Sequence, residues 1–303
     1  MLDLRRLVVL REVQRRGTLA AAARALSYSP SAVSQALARL EQEAGTALTE
    51  PIGRGIRLTD DALLLVQHAE AAVAELESAE SLLAARRGRV TGRLRVATFQ
   101  TGLLSLIPDA LGRLGREHPD LQVEVALRDA GISTGELVAG AVDVVLGEEY
   151  PGFPQAPDPR LDRVELGCDD LVLAVPPTGE WAAVRGPADA AEAPWALEPR
   201  SSAPGRWARE VCRAAGFAPD VRFDSVDPLM HVRLVQAGHA VSLVPALPGP
   251  EGLREVRLVR LAGTPQRRLF TLTRASRAEH PAVIALRETL AAAFAEITRD
   301  AIG

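Results

Sequence analysis

No apolar run in this 303-residue chain approaches the roughly 18 to 20 residues of a membrane span, and Arg5 and Arg6 interrupt the start before a signal-peptide pattern can form. A membrane role is therefore not expected, and the expected compartment is the cytoplasm. Only two cysteines occur, Cys168 and Cys212, far apart and without metal spacing; they read as buried thiols, with a redox switch as the alternative. The five histidines, His68, His118, His231, His239 and His280, show no ligand spacing either. His231 and His239, eight apart on a helix and its exit, read as packing or capping groups. No G-x-S-x-G, P-loop or dinucleotide fingerprint is present, and Gly53-Arg54-Gly55 is not followed by the helix-opening glycine of a phosphate loop. An enzymatic reading has no residues to stand on, and neither a cofactor nor a metal is expected.

A length of 303 residues implies two or three domains. The net charge of -4 argues against a generally basic nucleic-acid binder, but residues 1–60 carry nine arginines against six acids, a local balance of +3. Leu4, Leu7, Val8, Leu10 and Val13 recur at helical spacing, with Gly17 as the left-handed stop. Thr18 can cap a second helix running to Leu26, whose small Ala21, Ala22 and Ala23 permit close helix approach. Ser29-Pro30 is an N-cap and first-turn pair that opens a third helix, because proline has no N–H to leave unsatisfied there.

In that third helix Val33, Leu37 and Leu40 share one face, so Ser31, Gln35, Ala38 and Arg39 point the other way, with Ser34 at the flank. Two helices at a tight bend, the second with a polar outer face, suit insertion into a DNA major groove. Glutamine can bond adenine in bidentate fashion, arginine guanine or phosphate, alanine a thymine methyl, and serine hydroxyls phosphate. The alternative is a solvated face in a small bundle. After Gly45, residues 47–50 and 56–58 read as two short strands about a Gly-rich turn, a wing holding Arg54 and Arg57 against the DNA backbone or minor groove.

With Gly17-Thr18, Ala21-Ala22, Leu26, Ser31-Ala32-Val33-Ser34, Leu40-Glu41, Gly45, Leu48 and Arg57-Leu58-Thr59 in this order, residues 1–60 resemble the winged helix-turn-helix of LysR-type transcriptional regulators. The chain departs from that pattern at Thr49 and Glu50, where the family often has an aromatic and an arginine, and at Ala62, where it often has glycine. The resemblance implies DNA contacts from Ser29, Pro30, Ser31, Ser34, Gln35, Ala38, Arg39, Arg54 and Arg57.

From Asp60 to Arg87 no Gly or Pro interrupts a helix of about seven turns. Ala62, Val66, Ala69, Val73, Leu76 and Leu83 step by fours and threes, a coiled-coil seam broken only by Glu80. The alternative is packing along its own domain. In the resembling family this helix pairs two subunits, which implies a homodimer or tetramer on a dyad-symmetric operator. The expected boundaries are residues 1–58 for the winged helix-turn-helix, 59–88 for the linker and 89–303 for an effector-binding domain.

Beyond residue 92 strands and helices alternate: strands at 93–98, 122–127 and 143–147, helices at about 103–116 and 132–139. Residues 170–175 look like a strand crossing into a second lobe that holds Val241–Pro245. Residues 269–273 would return the chain before a last helix from Pro281. Lobe I would comprise about 92–168 and 269–303, and lobe II about 169–268. This two-lobed α/β body resembles the effector domain of the same family and periplasmic solute-binding proteins. Ligands of open α/β sheets sit beyond strand ends and at helix N-termini. The effector candidates are thus Thr98, Gln100, Thr101, Glu148, Arg200, Ser201, Ser202, Val226 and Asp227. Thr98, Thr101 and Asp227 could instead cap helices, and Glu148 could be a solvated loop charge. Arg200 would suit a carboxylate and Glu148 an amine, giving a carboxylate or amino acid as the expected effector. RNA polymerase is the expected further partner, and a solute receptor without a DNA role is the alternative function.

Overall fold

The computed structural model describes residues 1–52, 55–128, 130–247 and 252–300, and the chain forms two compact units, Met1–Leu82 and Leu83–Gly303.

In the first unit, α1 (Leu4–Arg16) is capped by Asp3 and stopped by Gly17 at φ 71°. Its buried stripe is Leu7, Val9, Leu10 and Val13, so Val9 and not Val8 faces inward. Thr18 caps α2 (Leu19–Ala25) by accepting from the Ala21 N–H, and Ala22 and Ala23 are the buried small residues. Ser29 caps α3 (Pro30–Ala44), with Pro30 in its first turn and Gly45 closing it at φ 71°. The wing is the antiparallel hairpin of β1 (Thr49–Ile52) and β2 (Gly55–Leu58). Glu41 on α3 anchors it: its Oε1 accepts from the Leu48 N–H at 2.9 Å and from the N–H and hydroxyl of Thr49 at 3.1 Å each.

Helix α4 (Asp60–Arg86) runs for 27 residues. Ala62, Val66 and Ala69 do not wait for a second helix; they are buried in the same core as Leu10, Leu37 and Leu40. The first half of the expected seam therefore closes the unit's own core, which three short helices and a hairpin leave open on one side. Leu76, Leu82 and Leu83 remain exposed.

In the second unit, β3 (Gly92–Thr98) lies parallel between β4 (Leu121–Leu127) and β5 (Val144–Glu149). The expected single helix over 103–116 is two, α5 (Gln100–Ser105) and α6 (Ile107–Glu117). The break has a local cause, since Pro108 cannot donate to the preceding turn and so starts a new helix. Helix α7 (Ala130–Val138) precedes β5. Strand β6 (Leu161–Val175) is longer than expected, beginning at Leu161 instead of Asp170. Its first half pairs antiparallel with β11 (Gln266–Arg274), and its second half pairs with β9 (Ser242–Pro245) and β10 (Arg257–Arg260). One continuous strand thus belongs to both lobes.

Within the first half of β6 the register slips at Leu269/Phe270, and Gly167 sits there at φ 157°, where an added Cβ would collide with the Phe294 ring. Glycine is required by both backbone and packing. Lobe II adds β7 (Pro194–Leu197) parallel to β8 (Asp220–Asp224), with α8 (Ala203–Ala214) and α9 (Pro228–Gln236) against them. Helix α10 (Pro281–Asp300) covers lobe I, whose core joins Leu94, Val96, Leu146 and Leu269 to Leu286, Leu290 and Phe294. A separate core around Trp195, Trp207, Leu173 and Leu243 holds lobe II.

Candidate DNA interface and effector cleft

On α3, Val33, Leu37 and Leu40 are buried, while Ser31, Ser34, Gln35, Ala38 and Arg39 are all exposed. The outward face has the composition expected for base and phosphate contacts. Ser29 is already engaged as the cap, accepting from the Ala32 N–H at 3.1 Å, and its hydroxyl lies 2.9 Å from that of Ser31. Arg57 pairs across the hairpin with Glu50, its Nε donating to Oε1 at 2.7 Å, because the antiparallel register sets the two residues opposite each other. Glu50, one of the departures from the family pattern, thereby holds Arg57 in an exposed ion pair. Arg54 lies outside the described residues.

The second unit contains a cavity of about 750 Å³ with walls from both lobes, within the range of small-molecule sites. Of the nine expected effector residues, Gln100, Thr101, Glu148, Ser201, Ser202 and Val226 line it; Thr98, Arg200 and Asp227 do not. Thr98 is buried at the end of β3, its hydroxyl donating to the Phe99 carbonyl at 3.3 Å. Asp227 is the N-cap of α9, accepting from the N–H groups of Leu229 and Met230. It also accepts from Gln100 Nε2 at 2.8 Å, so one hydrogen bond joins the lobe I helix α5 to the lobe II helix α9. Arg200 is exposed on the loop before α8. Ser202 caps α8, accepting from Gly205 N–H at 3.0 Å and donating to the Pro199 carbonyl at 2.9 Å, so its hydroxyl is occupied in both directions.

One charged side chain lining the cavity is not legible from strand ends. Arg267, at the start of β11, is 1% exposed. Its Nε donates to Asp169 at 2.8 Å, its Nη2 to the Thr101 hydroxyl at 2.9 Å, and its Nη1 to Glu148. Burial pushes the carboxyl groups of Glu148 and Asp169 upward, and the Arg267 charge only partly offsets this. Two carboxylates share one guanidinium, so the floor carries an excess negative charge when all three are ionised. The neighbouring Tyr150 phenol is held well above its ordinary range by burial and by Glu148, and stays protonated. On another wall stands Arg206, over the Phe153 ring at 5.0 Å and donating to the Ser201 carbonyl at 2.7 Å. It lines the cavity where Arg200 does not.

His231 on α9 also lines the cavity. It is 2% exposed, and its Nε2 has no hydrogen-bond partner among the described residues. Burial lowers its pKa, against a backbone hydrogen bond at Ser225 and the charges of Asp227 and Asp224, so the imidazole is neutral at neutral pH. As for the thiols, Cys212 is buried and pushed up to about 12, which suppresses the reactive thiolate, while Cys168 is exposed.

A helix-turn-helix with a wing, joined by a long helix to a two-lobed α/β body with a central cleft, defines an effector-responsive DNA-binding protein. Residues 4–63 match the model of bacterial regulatory helix-turn-helix proteins of the lysR family, and residues 87–295 match the LysR substrate binding domain. The chain belongs to the LysR family of transcriptional regulators. It is similar to the HTH-type transcriptional regulator PtxR of Pseudomonas aeruginosa, with 31% identity over 264 residues, 86% of this chain and 82% of that protein. A full-length variant of OxyR from Pseudomonas aeruginosa shares the fold with a TM-score of 0.70 at 17% identity, over 96% of this chain and 95% of that one. CbnR, a LysR family regulator, matches with a TM-score of 0.53 at 26% identity, over 95% and 100% of the two chains. With both halves matched to regulators, the reading as a solute receptor without a DNA role is set aside.

Proposed function

We propose that this regulator reads its operator with Ser31, Ser34, Gln35, Ala38 and Arg39 of α3, and that a small molecule in the cleft of the second unit controls the outcome. The observation that carries the DNA half is the exposure of these five residues above a buried Val33, Leu37 and Leu40. Ser29 and Pro30 serve by setting the start of the helix, and Arg54 and Arg57 by meeting the DNA backbone or minor groove. Gln35→Ala should relax base preference by about 1 to 3 kcal/mol at one operator position, read by gel-shift titration on substituted sites. Undiminished preference at every position would remove Gln35 from the interface.

The exposed Leu76, Leu82 and Leu83 of α4 support pairing with a second copy, which would present two α3 helices to a dyad-symmetric site. Dimers of this kind would also serve in a tetramer, acting on RNA polymerase in the cytoplasm. A carboxylate or amino-acid effector is supported by Arg206 in the place proposed for Arg200, with Glu148 available to an amine. Metabolite screening by thermal shift tests the cleft, since a ligand of the folded state raises its stability by mass action.

A further inference from the structure

The chain has eleven aromatic residues, and five of them, Phe99, Tyr150, Phe153, Trp207 and Phe270, line the cleft described above. The rest of that lining is mixed, with aliphatic groups such as Leu146, Leu197 and Leu243 beside polar ones such as Thr101, Ser202 and Arg206. Such walls favour a flat, unsaturated body that stacks or meets ring edges over a compact, highly hydrated one. Among them stands His231, buried, with Nε2 unpartnered among the described residues. Since Nε2 is without a partner, the hydrogen bond to the Ser225 backbone is made through Nδ1. A neutral imidazole that donates through Nδ1 carries a bare lone pair on Nε2, which can only accept. An acceptor removed from water without a donor is a rare arrangement in folded proteins, and an incoming ligand is one way of completing it.

We infer that the cleft is built for an aromatic or comparably flat ligand bearing a hydroxyl or N–H group, and that His231 Nε2 accepts the hydrogen bond from that group. This rests on the reading of the cleft as the effector site and names the chemistry of its occupant. The selectivity follows from an asymmetry: a ligand with a methyl group in place of the donor fills the same space but leaves the lone pair buried and unsatisfied.

The test uses two matched pairs on the full-length protein, indole against 1-methylindole and 3-hydroxybenzoate against 3-methylbenzoate, with affinities measured by titration calorimetry. The donor-bearing member of at least one pair should bind about tenfold more tightly, about 1.4 kcal/mol. His231→Leu should abolish that difference, and His231→Gln, whose amide oxygen can again accept, should restore it. Equal affinity within both pairs, binding by none of the four, or a preference that survives His231→Leu overturns the assignment. Ala203→Trp, which adds bulk at the cleft-lining start of α8, separates the two readings. Binding lost in Ala203→Trp but indifferent to His231 leaves the cleft reading standing and overturns the role of His231. Binding unaffected by both substitutions overturns the cleft reading as well.

Discussion

Arg267 shows what one buried cation does when two carboxylates depend on it. Replacing it with methionine keeps much of its volume but leaves Glu148 and Asp169 facing each other without a counter-charge. Breaking a buried ion pair from one side costs about 3 to 5 kcal/mol. Arg267→Met should lower the urea midpoint accordingly, followed by the fluorescence of Trp181, Trp195 and Trp207, all in lobe II. Asp143 is the opposite case. Burial works to raise its pKa, but the Arg95 N–H at 2.9 Å and the Arg95 guanidinium at 3.1 Å outweigh burial and hold it below the ordinary carboxylate value. A depressed pKa contributes stability that is full above the unfolded value near 4 and is lost as pH falls through the folded one. Asp143→Asn should therefore lower the denaturation midpoint at pH 7, with the gap from the parent protein closing below about pH 4. A gap of constant size across that range would mean that the charge at Asp143 contributes nothing.

At the scale of elements, the wing tests the cost of a departure from the family pattern. Glu50 holds Arg57 across the hairpin in an exposed ion pair. Such pairs contribute little to stability, so Glu50→Gln should leave folding within about 1 kcal/mol. Freed of its carboxylate, Arg57 should tighten DNA binding on all sequences and steepen the logarithmic salt dependence by about 0.9 per phosphate gained. The helices of the first unit are legible because their signals are local: Gly17 and Gly45 in the left-handed region, Thr18 and Ser29 as caps, Pro30 at N1. The first half of the α4 seam is misread because a heptad pattern records an apolar stripe and not its partner. The cleft is legible only in part for the same reason. Gln100 and Thr101 follow the end of β3 and Glu148 lies in the last residues of β5, so a rule of topology finds them. Arg267 and His231 reach the cavity from late in the chain, through packing that no short-range pattern encodes.

For the molecule as a whole, the junction between the two compact units is marked by chemistry. Arg86, Arg87 and Arg89 are all exposed around Gly88, and the chain contains no lysine. Brief trypsin treatment should cut there first, releasing an N-terminal fragment of the winged helix with α4 and a C-terminal effector fragment, identified by mass spectrometry. First cuts before Leu82 or beyond β3 would contradict the division.

The Gln100–Asp227 hydrogen bond gives the sensor a threshold. A single such bond contributes about 0.5 to 1.5 kcal/mol, which biases a closed cleft over an open one by only about two- to tenfold. A bias that small is easily outvoted. An effector that stabilises either arrangement by a few more contacts would set the population. The same arithmetic makes the two side chains a tuning screw: strengthening or deleting their bond would slide the dose at which transcription responds without redesigning the pocket.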